Sequence, residues 1–248
     1  MEPDHWDELF DEIYLDTYSK RLEETDSAKE ALDAANLAGV APPAEILDAP
    51  GGFGRHSIPL ADAGFRVTTA DRSAVQLEEG RRRAGDKEWP RWVQADFREL
   101  PFEEESFDAV LNLFSSIGYR GEEGDRQMLA EFLRVLRPAA PLLLETLHRD
   151  RLMAIFQPNT WEPLGGGNLV AEERRFDHVA GEIETDHIYV AGGKRRDFTW
   201  RLRVYTATDL VRMLADVGYD EIECFGDYEG GELSRETRLV VRATRPAR

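Results

Sequence analysis

Residues 46–71 read ILDAPGGFGRHSIPLADAGFRVTTAD, and the reading of this stretch decides the fold. Ile46 to Ala49 end a short buried strand, Pro50 to Gly54 make a tight glycine turn, and Arg55 to Ala63 space their apolar residues along one helical face. Gly64 stops that helix. Phe65 to Ala70 then alternate apolar with polar or small residues, so a second strand ends at Asp71. A strand, turn, helix, strand unit crosses over right-handed and pairs its strands in parallel. The glycine turn therefore lies at the carboxyl edge of the sheet, where α/β folds bind ligands.

Strand and helix keep alternating beyond this unit. Residues 73–83 form a polar helix with Ser73 as N-cap and Gly85 as terminator. Residues 92–96 form a third strand. Residues 107–114 form a fourth, apolar enough to be buried on both faces, which opens into Ser115, Ser116, Ile117, Gly118 and Tyr119. A helix over 123–136 stops at Arg137-Pro138, and 141–147 is the fifth strand. From Asn168 to Tyr205 the pattern changes to three alternating segments, 169–176, 183–190 and 196–205, joined by turns at Gly181 and Gly192-Gly193. No helix separates them, so they predict an antiparallel meander. In the last segment Phe198, Trp200, Leu202 and Val204 share one face, and Thr199, Arg201, Arg203 and Tyr205 the other. A helix over 208–216 and strands over 221–225 and 238–244 follow. Ahead of the opening unit, residues 4–20 read as an amphipathic helix and 27–37 as a second, ended by Gly39 and Pro42-Pro43.

The 248 residues suit one large α/β domain. Internal repeats, low-complexity segments and linkers are absent, so the meander is an insertion within that domain. A single cysteine, Cys224, excludes an internal disulfide and fits a reducing cytosol; without a signal peptide or an apolar run of spanning length, a cytoplasmic protein free of the membrane is expected. Net charge is −18, from 49 acidic and 31 basic residues, and no basic stripe is present, which disfavours nucleic acid as a partner. The acidity reads first as solubility, with steering of a cationic substrate as the alternative. The histidines form no ligand-spaced cluster, so no metal is expected.

The carboxylates around the glycine turn narrow the ligand. A dinucleotide fingerprint needs G-x-G-x-x-G, and here Gly52-x-Gly54 runs into Arg55, His56 and Ser57. Asp48, two residues before the turn, opposes a pyrophosphate but suits an ammonium group. Asp71, 19 residues beyond Gly52, ends the neighbouring strand where a ribose lies, and a carboxylate accepts from both hydroxyls. Asp96 can accept from an exocyclic adenine amine, with Phe97 stacking on the base. Ammonium, ribose and adenine in that order describe S-adenosylmethionine.

On these residues the chain resembles the class I S-adenosylmethionine-dependent methyltransferases of the bacterial small-molecule branch. The resemblance implies an α/β, Rossmann-like sheet of seven strands, mostly parallel with the last antiparallel and with helices on both faces, and the inserted antiparallel meander as a substrate cover. It implies one domain, 1–248: a helical lid over 1–44, a cofactor core over 45–150, the cover over 151–205, and the last helix and strands over 206–248. The cofactor would be held by Asp48, Ala49, Pro50, Gly51, Gly52, Gly54 and Arg55 of the turn, and by Asp71 and Arg72. Ala95, Asp96 and Phe97, then Asn112, Leu113 and Phe114, and Tyr18 of the lid complete the set. Two positions depart from the pattern. Pro50 stands where many relatives have the first glycine, and Ala139-Ala140 where the family has a glycine pair.

A sulfonium already activates its methyl group, so transfer asks mainly for an aligned, unprotonated nitrogen or oxygen nucleophile, and a dedicated base is optional. His148 is placed to take the substrate proton, histidine being the side chain that titrates nearest neutrality; structural pairing with a nearby acid is its alternative role. Substrate-binding candidates are Tyr14, Ser115, Ser116, Tyr119, Arg149, His187, Tyr189, Arg201 and Arg203. A solvated strand face is the alternative for the last two. The expectation is a small-molecule methyltransferase, monomer or homodimer; a non-catalytic cofactor-binding protein and a nicotinamide oxidoreductase are the rival readings.

Overall fold

The computed structural model describes residues 26–247 together with Leu15. The helix expected over 4–20, with Tyr14 and Tyr18, lies outside these residues apart from Leu15. Helices are α1 (Ser27–Ala38), α2 (Ser57–Asp62), α3 (Ala74–Ala84), α4 (Gly121–Val135), α5 (Arg149–Ala154) and α6 (Ala207–Val217). Strands β1 (Glu45–Asp48), β2 (Arg66–Asp71), β3 (Arg91–Gln94), β4 (Ala109–Asn112), β5 (Pro141–Thr146), β10 (Asp220–Phe225) and β11 (Leu239–Thr244) form a seven-stranded sheet in the order β10-β11-β5-β4-β1-β2-β3. β1 to β5 are parallel, while β11 runs antiparallel to both β5 and β10. The chain winds outward from β1 in both directions, so β1 and β4 flank the switch point at which such sheets open a crevice.

Strand pleat splits the core between the two faces of the sheet. Ile46 of β1 packs with Ala31, Ala34, Ala35 and Ala38 of α1, Leu60 of α2 and Val67 of β2. Leu47, one residue on, joins Met128, Leu129, Phe132 and Val135 of α4 and Leu210 and Leu214 of α6. The alanine stripe lets α1 lie close against the sheet. Caps set the helix ends: Asp26 accepts from the Lys29 N–H at 2.9 Å, Gly39 ends α1 in the left-handed region, and Thr206 with Asp209 form a capping box on α6.

The inserted sheet has four strands where the sequence predicts three. β6 (Asn159–Gly165), β7 (Asn168–Asp177), β8 (Glu182–Ala191) and β9 (Lys194–Arg203) form an antiparallel meander. The stretch NTWEPLG of β6 reads as loop because Pro163 cannot donate to a ladder, yet β6 is an edge strand and tolerates it. The six-residue α5 is also unforeseen, being too short to show a helical period. β4 ends sooner than its apolar run, since Phe114 and Ser115 both take positive φ, 63° and 56°. Gly118 joins the two sheets: the Arg203 N–H donates to its carbonyl at 3.0 Å, and a Cβ there would stand 2.1 Å from the Arg203 carbonyl oxygen.

Ala139, at the departure from the expected glycine pair, has φ 62° and is exposed. The left-handed region costs an L-residue about 1–2 kcal/mol, against which a glycine loses roughly 0.5–1 kcal/mol in unfolded-state entropy. Ala139→Gly is therefore expected to stabilise the fold by about 0.5–1 kcal/mol, read as a higher melting temperature; an unchanged or lower value counts against strain at this turn.

Candidate active site

A cavity of about 710 Å³ lies along the carboxyl edge of the main sheet, over the ends of β1, β2, β4 and β5. It brings together Asp48, Pro50, Gly51, Gly52, Arg55, Asp71, Arg72, Phe97, Leu113, Phe114, Ser115, Ser116, Tyr119 and His148 of the predicted site. Pro50 does not hold the turn away from it.

The cofactor side is set by backbone donors and packed carboxylates. Asp71 accepts from the Gly52 N–H through one oxygen and from the Ser73 N–H through the other, each at 2.8 Å. Each oxygen keeps a lone pair for a hydroxyl. Gly52 reaches this position at φ 55°, and a Cβ on Gly51 would stand 2.4 Å from Thr69 Cγ2, so both glycines are dictated by the turn. Thr69 Oγ1 donates to Ser57 Oγ at 2.7 Å, which donates to Asp48 at 2.5 Å. Burial pushes Asp48 up to about 7 even against the Ser57 bond, with neighbouring Asp71 adding to the rise, and burial raises Asp71 as well. Gln76 of α3 is 2% exposed, and neither its amide nitrogen nor its oxygen has a hydrogen-bond partner among the described residues. A buried amide left this way costs stability until a ligand meets it. Two carboxylates, a turn whose Gly51 and Gly52 carry no Cβ and an unmet amide fit an adenosyl ligand carrying an ammonium group.

Several predicted contacts do other work. Ala49 is fully buried, and Asn112 Nδ2 donates to its carbonyl at 2.7 Å, so both brace the turn from behind. Gly54 admits the Trp92 ring, 2.4 Å from where its Cβ would stand. The Ala95 N–H holds the Asp71 carbonyl at 3.0 Å. Asp96 does not line the cavity. Arg98 takes both of its oxygens, at 2.9 and 2.6 Å, because the chain bends after β3 instead of extending to residue 96. That pairing holds its carboxyl below the usual range.

The acceptor side is built by the β4–α4 loop, α5 and β9. Glu145, at the end of β5, is buried and accepts from the Phe114 N–H at 2.8 Å, steadying the left-handed pair Phe114 and Ser115; burial raises its carboxyl. The Arg55 guanidinium donates to Glu30 at 2.6 Å and lies 4.8 Å from the centre of the Phe114 ring. His148 is 5% exposed; its Nδ1 has no partner among the described residues, and its Nε2 is 3.6 Å from Asp150. Leu152 of α5 and Ile155 just after it, with Trp200 and Leu202 of β9, close this end.

The meander residues proposed for substrate stand elsewhere. Strand alternation sends Arg201 and Arg203 to the face opposite Trp200 and Leu202: Arg201 pairs with Glu184 at 2.6 Å, and Arg203 lies over the Tyr205 ring at 5.5 Å. Arg149 packs on Phe176 at 5.4 Å and reaches the His178 carbonyl. His187 and Tyr189 sit opposite Phe198 and Arg196, further along the sheet than Trp200. His187 does act on the wall, since it accepts from the Trp200 indole N–H at 3.2 Å while its Nε2 meets Glu172 at 2.9 Å. Sequence reasoning missed Gln76, Arg120, Glu145, Arg151, Trp200 and Arg238 as lining residues. Glu145 alone carried a signal, an acid ending an apolar strand as Asp48 does.

A family model for a methyltransferase domain matches residues 46–139. A demethylmenaquinone methyltransferase of Clavibacter sepedonicus is 41% identical over 112 residues, 44% of each chain, so the chain spans less than half of that relative. A glycine/sarcosine N-methyltransferase of Halorhodospira halochloris is 32% identical over 197 residues, 74% of this chain and 68% of the other. Among solved structures, the CcbJ methyltransferase from Streptomyces caelestis shares the fold with a TM-score of 0.78 at 23% identity, over 95% of this chain and 98% of that one. Family match, relatives and fold agree with the glycine turn and its two carboxylates: the chain belongs to the class I S-adenosylmethionine-dependent methyltransferases and takes S-adenosylmethionine as its methyl donor.

Proposed function

We propose that the enzyme methylates a nitrogen or oxygen of a small molecule bound among the β4–α4 loop, α5 and β9, with the inserted sheet as its cover. The observation that carries this reading is the continuity of the cavity. Asp48, Gly52 and Asp71 at one end share about 710 Å³ with His148, Tyr119 and Trp200 at the other, a volume in the range of small-molecule sites. The names of the relatives point to small acceptors as well, glycine and sarcosine in one and demethylmenaquinone in the other.

The bound cofactor supplies a methyl group already activated on a sulfonium, and orienting the acceptor in line contributes the rest, roughly 7–11 kcal/mol. Asp48 balances the ammonium charge. Asp71 accepts the protons of the ribose diol, and the Gln76 amide donates to a hydroxyl oxygen, so the diol is met as donor and as acceptor. Phe97 offers its ring to the base. His148 takes the acceptor's proton, and Asp150 steadies the resulting imidazolium.

Calorimetric titration with S-adenosylhomocysteine tests the cofactor assignments. Asp71→Ala is expected to weaken binding by roughly 2–4 kcal/mol and Gln76→Leu by roughly 1–2 kcal/mol, the latter without loss of thermal stability in the free protein. Unaltered binding by either variant removes that residue from the site.

Asp48 predicts a pH dependence. Its folded pKa of about 7 is raised, so between its unfolded value and 7 the free protein holds the proton and the group's contribution to stability falls as pH rises through that window. A bound ammonium favours the carboxylate, so binding below pH 7 must release this proton. Affinity for S-adenosylhomocysteine should accordingly drop between pH 7.5 and pH 6 by severalfold to about tenfold, with proton release measured by titration in buffers of different ionisation enthalpy. Binding without proton release at pH 6 would contradict the assignment.

For the transfer itself, His148→Gln should lower kcat by roughly 10²–10⁴-fold. A variant with wild-type rate on the identified acceptor excludes the base role.

A further inference from the structure

A hydrophobic cluster separate from the two faces of the main sheet meets the acceptor end of the cavity. Ile183 of β8, Leu202 of β9 and Val204 are its buried centre, and Tyr119, Leu152 and Trp200 are among the side chains packed against them. Tyr119, Leu152, Trp200 and Leu202 also line the cavity, so one side of this cluster is cavity wall. Ile155, three residues beyond Leu152 and 61% exposed, extends that wall. Large apolar side chains left as the wall of a pocket mark a surface for an apolar body.

Within this wall the position of Trp200 is specifically supported. A hydrogen-bonded line crosses all four strands of the inserted sheet to reach it. Thr160 of β6 donates through Oγ1 to one oxygen of Glu172 on β7 at 2.9 Å, and the other oxygen of Glu172 lies 2.9 Å from Nε2 of His187 on β8. His187, 3% exposed, then accepts the Trp200 indole N–H at Nδ1, at 3.2 Å. Accepting at Nδ1 puts the proton of the neutral ring on Nε2, where it donates to Glu172. Two consequences follow for the wall. The indole is held in one place, and its sole donor is spent inside the sheet, so what it offers the cavity is carbon surface.

We infer that the methyl acceptor of this enzyme carries an apolar ring system that rests on Trp200 beside Leu152 and Leu202, and that His187 is the positioning residue that presents the indole to it. The inference rests on the methyl-transfer reading and names the class of acceptor. A flat ring against an indole gains the burial of its own apolar surface and the offset or edge-on contact of two π-systems. A sugar or a small zwitterion would turn hydroxyls or charges to the same wall, and would lose their hydration without gaining partners from Trp200, Leu152 or Leu202.

Calorimetric titration of protein saturated with S-adenosylhomocysteine tests this, with 2-naphthol as the ring probe and glucosamine and glycine as the polar ones. 2-Naphthol should bind about tenfold or more tighter than either polar probe. Trp200→Ala should remove most of that preference while S-adenosylhomocysteine still binds; Leu152→Asn, on the short α5, gives the same readout if Trp200→Ala loses its fold. For the positioning role, His187→Leu should weaken 2-naphthol roughly two- to tenfold, and His187→Asn, which keeps an acceptor near the Nδ1 position, should restore part of that loss. The effect of His187→Leu should vanish in a Trp200→Phe background, which has no indole N–H to hold, whereas a merely structural role would persist there. Equal binding of ring and polar probes, no binding of 2-naphthol, or full preference in both the Trp200→Ala and Leu152→Asn variants overturns the acceptor class. Wild-type affinity in His187→Leu, or an undiminished effect of it in the Trp200→Phe background, overturns the role of His187. Selective binding of 2-naphthol without methyl transfer from S-adenosylmethionine to any nitrogen or oxygen acceptor would instead leave the ring site standing and defeat the proposed reaction.

Discussion

The carboxylate of Asp71, held between the N–H groups of Gly52 and Ser73, is the interaction on which the rest of the site depends. It ties the turn after β1 to the end of β2, sets the left-handed conformation of Gly52, and caps the entry to α3. It also adds its charge to the buried neighbourhood of Asp48. Two acids close together in a poorly solvated crevice are costly while both are ionised. A ligand that is cationic at one end and a hydrogen-bond donor at the other relieves both at once. The glycine turn is thus built to be incomplete without its ligand, and the unmet amide of Gln76 belongs to the same arrangement.

The acceptor end depends on a second set of buried contacts. Asp125 accepts from the Gly118 N–H at 3.1 Å and from the Tyr205 hydroxyl at 2.6 Å, and burial pushes its carboxyl up to about 6. Through Gly118 and Arg203 this pair locks the loop after β4 to the last strand of the inserted sheet, so Tyr119, Trp200 and Leu202 hold fixed positions relative to one another. On the other side of the loop, Glu145 supports Phe114 and Ser115 in a conformation that L-residues seldom take. Strain held by buried hydrogen bonds at a cavity wall is a common property of sites where geometry does the chemistry. That suits a reaction in which orientation supplies most of the acceleration.

Much of this was legible in the amino-acid order because the deciding signals are local. Strand and helix periods, Ser73 and Gly85 at the ends of α3, and acids at strand ends all act within a few residues. Asp48 and Asp71 stand in the cavity as their spacing implies. Signals that act across the sheet were not legible. Asp96 looks like a third ligand carboxylate until the bend after β3 hands it to Arg98. Arg201 and Arg203 were ambiguous because strand alternation says that they share a face but not which face meets the core.

By itself the sequence determined the α/β alternation, the glycine turn with its two carboxylates, and hence the class of cofactor, since each follows from backbone sterics and charge over short spans. Tertiary structure alone decided which side chains meet across the cavity. β9 adds Trp200 to the lining that holds His148, α5 adds Arg151, and Asn112 is turned behind the wall that it was expected to line. The physical reason is register: a one-residue difference in pleat or bend moves a side chain to the opposite face, and only the packed sheets fix it.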